Sequence, residues 1–183
     1  SLMSAMLAML PSLKRITNVQ SMIQKGVAAA GSLFHVLDAP AEADLGTHPL
    51  NLLGNAIVFD HYCHLRYDIG AVIDRAAALP LDEGALVATR EWMLAGLPQM
   101  CAGALADASQ RPVNLVFDGP GGGSFVLAPG ADGWTVDEGS ETGAPTVHTT
   151  VHDFVSWGTK RSDWRDVVTG DTDNADLANV LDA

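Results

Sequence analysis

Residues 113–127 have the sequence VNLVFDGPGGGSFVL, and this stretch decides the fold class. Two runs rich in β-branched and aromatic residues, 113–117 and 124–127, flank a segment that contains four glycines and one proline. This pattern predicts a β-hairpin. Residues 133–136 and 146–150 have similar composition and predict two further strands. The second half of the chain is therefore expected to contain a sheet.

Outside this region, the apolar residues recur mainly at the three-to-four-residue spacing of a helix. That spacing predicts helices within residues 1–37, 51–79, 82–106, 151–160 and 173–181. Gly96 and Pro98 are expected to kink or break the third of these helices. Residues 38–50 contain two prolines and three acids and predict a linker. Because the predicted helices and the predicted strands are largely segregated along the chain, the fold class is α+β.

Charge and cysteine content narrow the classes of function. The formal net charge is −12, and residues 1–50 sum to zero, so the whole excess lies in residues 51–183. Such a surface repels phosphate, which excludes nucleic acid as a partner and disfavours an anionic membrane. Cys63 and Cys101 form no CxxC motif. They are expected to be small buried side chains in a reducing, cytoplasmic compartment.

One predicted helix carries a polar face that could bind a metal ion. Asp60, His64 and Asp68 are spaced four residues apart, so their side chains lie on the same face. A carboxylate and an imidazole at this spacing can bind one divalent ion, and Asp68 could orient the His64 ring. The alternative is that this face is simply solvated, as the polar face of any amphipathic helix is. His61, at the edge of the face, is expected to be a surface histidine.

Two other motifs are expected to carry no such chemistry. His148 and His152 are four residues apart, but a predicted change from strand to helix between them spoils the geometry of a metal site. The glycine-rich segment 119–123 is followed by no Lys-Ser or Lys-Thr pair and leads into a strand. It therefore does not predict a phosphate-binding loop, which needs a helix N-terminus.

Residues 59–69, FDHYCHLRYDI, resemble a metal-binding helix of the DinB-like four-helix bundles in the mycothiol-dependent maleylpyruvate isomerase family. The hairpin at 113–127 and the segments 154–161, 169–171 and 175–181 resemble the C-terminal domain of the same family. The resemblance covers residues 51–183. It implies a partial DinB-like bundle over residues 51–110 and a small α+β domain over residues 111–183.

The resemblance also implies a chemistry and the residues that carry it. Asp60 and His64 would bind a divalent metal, with zinc expected, and the metal would hold the thiol of mycothiol as a thiolate. That thiolate would attack a small-molecule electrophilic substrate, and Arg161 would be a catalytic residue. Asp60 stands where the family more usually has Glu, and Asp68 lies one position later than the family's trailing acid. The family's third ligand is a histidine on an earlier helix, for which His35 is the only upstream substitute on a predicted helix.

Residues 5–49 resemble a different family. The stretches LPSLKRITNVQ at 10–20 and QKGVAAAGSLF at 24–34 are similar to ABC exporters of the lipid A flippase type. The similarity implies the end of a transmembrane domain and the link into a nucleotide-binding domain. The chain contains no GxxxxGK[ST] motif, so ATP hydrolysis is not expected of it. Residues 1–50 are therefore predicted to be an unrelated N-terminal helical segment and linker, joined to the rest in a chimeric or fused reading frame.

These patterns lead to three hypotheses of function. The first is a mycothiol-dependent isomerase or transferase, which would be inactive if loss of the first metal-ligand helix removes the site. The second is a fragment of a lipid-exporting ABC transporter without its ATPase domain, which would associate with a membrane only if the N-terminal segment keeps its exporter character. The third is a metal-free interaction module. The identity of the substrate and the oligomeric state are left open.

Overall fold

The computed structural model describes residues 46–74, 78–108 and 110–182, together with residues 24, 25, 27, 30 and 40–43. Residues 24, 25, 27 and 30 have helical backbone, in agreement with the prediction at these four positions. The rest of the helical segment predicted within residues 1–37, including His35, lies outside the described residues. The chain divides into two compact units, residues 1–40 and residues 41–183.

The second unit, with Pro40 at its boundary, contains seven strands, six α-helices and one π-helical turn among its described residues. The strands are β1 (Pro40–Ala43), β2 (Gly46–Pro49), β3 (Val113–Asp118), β4 (Gly123–Gly130), β5 (Gly133–Glu138), β6 (Thr146–Thr150) and β7 (Thr169–Gly170). The α-helices are α1 (Leu52–Cys63), α2 (Glu83–Met100), α3 (Ala102–Ala108), α4 (Val151–Gly158), α5 (Trp164–Val167) and α6 (Ala175–Asp182). The π-helix (His64–Asp68) continues α1 without a break.

Five strands form one sheet in the order β5-β4-β3-β6-β7. Strands β3 and β4 are the predicted hairpin, with Val113 opposite Leu127 and Phe117 opposite Gly123. Strand β6 pairs with β3 in parallel, and the β4–β5 hairpin lies between them in the chain. Because this sheet and its helices come from largely separate stretches of sequence, the α+β class is confirmed at this level. The four-helix DinB-like bundle is not confirmed.

The region predicted to be a linker contains two strands. β1 and β2 pair with each other, so the segment predicted to be a linker contains regular structure at residues 40–43 and 46–49, which its sequence did not predict. Proline is tolerated at the first residue of a strand, and Pro40 occupies that position in β1. The side chain of His48 in β2 is buried, and its ring lies 5.1 Å from the ring of Trp92. This packing attaches the small sheet to α2.

Helix α2 has a defined start and ends at Met100, within the predicted range 82–106 but beyond the predicted kink or break at Gly96 and Pro98. The Asp82 carboxylate accepts a hydrogen bond of 2.7 Å from the backbone N–H of Ala85, as an N-cap does. The helix continues through Gly96 and Pro98 and ends at Met100, where Cys101 leaves the helical region. Leu86, Trp92 and Leu94 are buried along it. The burial of these side chains stabilises the helix. It offsets the backbone hydrogen bond that is lost at Pro98, which has no N–H to donate.

The hydrophobic core lies between the sheet and the helices. The Phe154 ring, on α4, lies 5.0 Å from the Phe117 ring on β3, and both side chains are buried. The β3–β4 turn packs on α2 at Gly121, whose φ is +71° and where an added Cβ would lie 2.8 Å from Cβ of Leu86. The carbonyls of Gly121 and Gly122 accept hydrogen bonds from Arg90 of α2. The glycine-rich segment is therefore a tight turn that docks on a helix.

Candidate functional site

Four charged or ionisable side chains from two distant segments form a continuous line. His64 Nε2 lies 3.5 Å from an Asp60 carboxylate oxygen, and His64 Nδ1 lies 2.8 Å from Asp68 Oδ2. Arg161 donates from Nε and Nη2 to the two carboxylate oxygens of Asp68, at 3.0 Å each. We call Asp60, His64, Asp68 and Arg161 the His64 cluster. The structure thus brings together the three helical residues that the sequence singled out and the arginine that the resemblance implied.

The π-helix positions His64 and Asp68. The backbone N–H of Ile69 donates to the carbonyl of His64 at 2.8 Å, which is the i to i+5 bond of a π-helix. The turn after it is tight, since a Cβ on Gly70 would lie 2.1 Å from the Arg66 carbonyl oxygen. The polar periodicity of residues 60–68 did not reveal this π-helix. Single π-turns occur frequently at functional sites.

The turn after α4 positions Arg161. Lys160 has a φ of +60°, which is uncommon for a residue with a side chain. The N–H of Lys160 donates to the Trp157 carbonyl at 2.8 Å, and that of Arg161 donates to the Ser156 carbonyl at 2.8 Å. The guanidinium of Arg161 lies 5.8 Å from the centre of the Tyr67 ring, close enough for a cation–π contact. Arg161 therefore contacts two residues of the π-helix.

Hydrogen bonding lowers the pKa of the Asp68 carboxyl group. The Arg161 guanidinium beside Asp68 holds the pKa of that carboxyl below its usual range, with a further contribution from His64. The same bond raises the pKa of Arg161. Asp68 is accordingly a carboxylate at neutral pH. In the neutral form of the His64 ring, this carboxylate favours the tautomer with its proton on Nδ1, in which Nε2 carries the free lone pair.

The donor atoms of the His64 cluster match part of what a metal ion requires. Two atoms that both bind a tetrahedral zinc at about 2.0–2.2 Å lie about 3.4 Å apart. His64 Nε2 and Asp60 Oδ1 are 3.5 Å apart, so these two atoms fit a shared ion. Within residues 46–74, 78–108 and 110–182, however, no group of three or more His, Cys, Asp and Glu side chains is arranged to hold a metal. The described residues therefore supply two ligands of a candidate site.

Neither cysteine is placed to act as a reactive thiol. Cys63 is buried and Cys101 is half-buried, and both are free of disulfides. Burial raises the pKa of each thiol, so neither is activated as a thiolate. The prediction that Cys63 is a small buried side chain is confirmed. Any thiolate that acts at the His64 cluster would have to come from another molecule.

A second cluster, which the sequence did not reveal, lies behind the π-helix. The hydroxyls of Tyr62 and Tyr67 lie 2.8 Å and 3.2 Å from Nδ1 of His152 on α4. The Tyr67 hydroxyl also donates to the His152 carbonyl. Burial lowers the pKa of His152 and raises the pKa of Tyr62 to about 12, so all three groups are neutral at pH 7. This Tyr-His cluster joins the π-helix to α4. It also holds Tyr67, whose ring contacts Arg161.

Among the described histidines, His61 and His148 lie apart from these clusters. His61 is exposed, and its Nδ1 lies 2.8 Å from the Ile57 carbonyl of the same helix. His148 lies 3.4 Å from Asp118, whereas His152 contacts the two tyrosines. The pair at 148 and 152 thus has separate partners, because β6 ends at Thr150 and α4 begins at Val151. No helix in the described part of the chain combines the length and the apolar character needed to cross a membrane.

Comparison with known proteins identifies relatives for one segment of the chain. An ATP-dependent lipid A-core flippase of Xylella fastidiosa (strain Temecula1 / ATCC 700964) is 51% identical over 59 residues. The flippases of Xanthomonas euvesicatoria pv. vesicatoria and Alkalilimnicola ehrlichii are each 52% identical, over 58 and 60 residues. Each match covers 32–33% of this chain and 10% of the flippase. The chain therefore spans about a tenth of the length of these relatives.

The flippase resemblance predicted from residues 5–49 is confirmed at the level of a segment. No protein-family model matches the chain. No solved structure matches it either. The resemblance of residues 51–183 to the maleylpyruvate isomerase family finds no support in these comparisons and stays a prediction.

Proposed function

We propose that residues 51–183 carry a metal-dependent thiol chemistry of the maleylpyruvate isomerase type, centred on His64. The observation that supports this proposal is the unbroken line from Asp60 through His64 and Asp68 to Arg161. A histidine that offers one nitrogen to a metal and donates its other N–H to a carboxylate is the usual arrangement of a metal-bound imidazole. The His64 cluster supplies the carboxylate half of this arrangement, since Asp68 lies 2.8 Å from Nδ1, and Asp60 lies 3.5 Å from Nε2.

Each residue of the cluster has a distinct role in the proposal. Asp60 and His64 would hold the ion, and Asp68 would keep the His64 ring in one tautomer. Arg161 fixes Asp68 and lies where it could pair with a carboxylate of a cofactor or substrate. A bound divalent ion would lower the pKa of a cofactor thiol such as that of mycothiol and hold it as a thiolate. The substrate class is then a small electrophile, which the thiolate would attack.

The first test is metal content by elemental analysis of the purified full chain, before and after dialysis against zinc chloride. About one zinc per chain is expected in the wild type and none in His64→Ala or Asp60→Ala. His61→Ala is the matched control, since His61 is an exposed histidine of the same helix that lies outside the cluster. Equal zinc content in His64→Ala and His61→Ala would rule out the site. Absence of zinc in all four proteins would favour a metal-free interaction module.

A second candidate function rests on the sequence comparisons, which favour it over the first. About a third of the chain is roughly 50% identical to lipid A-core flippases. Under this proposal the chain is a fragment of a lipid-exporting ABC transporter, fused to a domain of other origin. It would have no ATPase activity of its own, because the chain contains no Walker A motif. Any role in lipid export would then require the missing parts from another polypeptide.

Membrane fractionation distinguishes the two candidates. Expression of the full chain, followed by separation of membranes and assay of detergent dependence, is expected to place it in the membrane fraction if the flippase-like segment keeps its original character. Recovery without detergent, together with zinc bound at His64, would support the first candidate. Recovery without detergent and without zinc would contradict both.

A further inference from the structure

A large apolar cavity lies between α1, α2, the sheet and α4. Its volume is about 350 Å³, and it is bounded by Phe59 of α1 and by side chains of α2, the sheet and α4, including Trp92, Leu97, Leu115 and Phe154. An engineered cavity of about 150 Å³ lined by Leu, Ile and Phe stays dry and binds benzene. The present cavity is more than twice that size and has the volume of a small-molecule site.

The wall of this cavity is apolar apart from a few residues. Among the described residues that line it, Lys160 alone has a formal charge. The neighbouring Arg161 and Arg165 are already paired with carboxylates, whereas the ion pairs between described residues do not include Lys160. Lys160 lies just after the end of α4 and has a left-handed backbone conformation. The residue before it, Thr159, also lines the cavity. An apolar chamber with one cation at its rim is complementary to an amphiphile with an apolar chain and an anionic head group.

The volume lies in the lower part of the range of small-molecule sites, about 300–1,000 Å³, which favours a chain of short to medium length. Decanoate, a ten-carbon chain with a carboxylate, is a probe of that class. The net charge of −12 repels anions in general, so an anion bound here would have to be selected by the cavity and by Lys160 together.

We propose that this cavity binds a medium-chain amphiphile, with its apolar tail among Trp92, Leu97 and Phe154 and its anionic head at Lys160. The inference does not depend on the metal site, because Asp60, His64 and Asp68 are not among the lining residues. A carboxylate and a phosphate monoester share the required head-group chemistry. Decanoate and decyl phosphate, used as separate probes, distinguish these two head groups.

The first experiment is a titration of the full chain with sodium decanoate below its micellar concentration, measured by calorimetry. One site per chain is expected. Gly96→Leu should weaken binding at least tenfold, because Gly96 lines the cavity and the new side chain would occupy it. Gly54→Leu is the matched control: Gly54 is an exposed helical glycine, and a Cβ added there meets no atom within 4 Å. No binding to the wild type, or equal loss in both variants, would overturn the proposal.

A second measurement locates the tail and the head of the bound chain. Trp92 and Trp157 line the cavity, so decanoate brominated near its methyl end should quench tryptophan fluorescence in the wild type. Lys160→Gln should weaken decanoate and decyl phosphate at least fivefold and leave decanol unchanged. If all three probes weaken equally, or if the brominated chain does not quench, the assignment of head and tail is wrong. The ratio of the affinities of the wild type for decanoate and for decyl phosphate identifies the preferred head group.

Discussion

Arg161 and Asp68 are 93 positions apart in the sequence and form a two-pronged ion pair, with both nitrogen-to-oxygen distances at 3.0 Å. One residue ends the π-helix that continues α1, and the other lies in the turn after α4. The pair links the helical region to the sheet domain at the edge of the candidate site. Asp68 is partly exposed, so the importance of the pair lies in the position and charge of Asp68 more than in stability.

The first prediction concerns the ionisation of Asp68. The pKa of this carboxyl is lowered mainly by Arg161, so Arg161→Gln should raise it toward its ordinary value. A lowered folded-state pKa gives stability that is present above the unfolded-state pKa and is lost as pH falls through the folded-state pKa. Carbon-13 NMR titration of the Asp68 carboxyl in both proteins provides the measurement. An unchanged titration midpoint would mean that the pair does not persist in solution.

The second prediction concerns the support that Asp68 gives to metal binding. If His64 binds an ion, Asp68→Ala should lower the affinity for zinc by about 10- to 100-fold, since the ring loses the partner that fixes its tautomer. Asp74→Ala is the control, because Asp74 is an exposed acid a short distance along the chain. Competition with a coloured zinc indicator measures both affinities. If Asp68→Ala and Asp74→Ala lowered the affinity for zinc equally, the effect would come from the loss of one negative charge and not from the contact between Asp68 and His64.

The third prediction is a pH dependence that arises from the Tyr-His cluster. Burial lowers the pKa of His152 in the folded state, so the unfolded chain binds the proton more readily. The stability that His152 contributes is present above about pH 6.5, its unfolded-state pKa, and is lost as pH falls through the lowered folded-state pKa. Asp153 opposes this shift, whereas Arg66 adds to it.

Urea unfolding at several pH values between 7.5 and 5 tests this dependence. The free energy of unfolding of the wild type should fall over this range, and His152→Gln should make the decline shallower. His148→Gln is the matched control and should leave the slope unchanged, because His148 lies beside Asp118 and outside the Tyr-His cluster. A decline of the same slope in the wild type and in His152→Gln would show that other groups cause it.

The sheet and its hairpin could be predicted because their information is local. The alternation at 113–127 and the turn glycines act within a few residues, and Thr150 caps α4 by accepting a hydrogen bond from the N–H of Asp153 at 3.1 Å. The strands β1 and β2 could not be predicted, since their proline and acidic residues are also typical of linkers. Their pairing depends on each other and on the burial of His48 against Trp92, which no local pattern encodes.

The candidate site was predictable in part for the same reason. Asp60, His64 and Asp68 share a face because of helical spacing, which the sequence displays directly. The contact of Arg161 with Asp68 depends on the turn at Lys160 and on the tertiary packing of α4, and only the family resemblance indicated that arginine. The contact of His152 with Tyr62 and Tyr67 likewise joins residues 85 and 90 positions apart, so periodicity could not reveal it.

The last prediction contrasts two glycines at the two ends of the same helical stretch. Gly54 lies on the exposed side of α1, where an added Cβ meets no atom within 4 Å. Gly54→Ala should therefore stabilise the protein by roughly 0.5–1 kcal/mol, since alanine is the better helix former. At Gly70 the same Cβ would lie 2.1 Å from the Arg66 carbonyl oxygen. Gly70→Ala should destabilise the protein by about 1–3 kcal/mol, as overpacking does.

Urea unfolding of the two variants at pH 7.5 measures this contrast, and the opposite signs are the decisive feature. The Arg66 carbonyl belongs to the π-helix that holds His64 and Asp68, so strain at Gly70 should also disturb their hydrogen bond. Zinc affinity should accordingly fall in Gly70→Ala and remain unchanged in Gly54→Ala. If Gly70→Ala were as stable as Gly54→Ala, the turn after the π-helix would have to be more open than the structure describes, and the position of Asp68 would not depend on it.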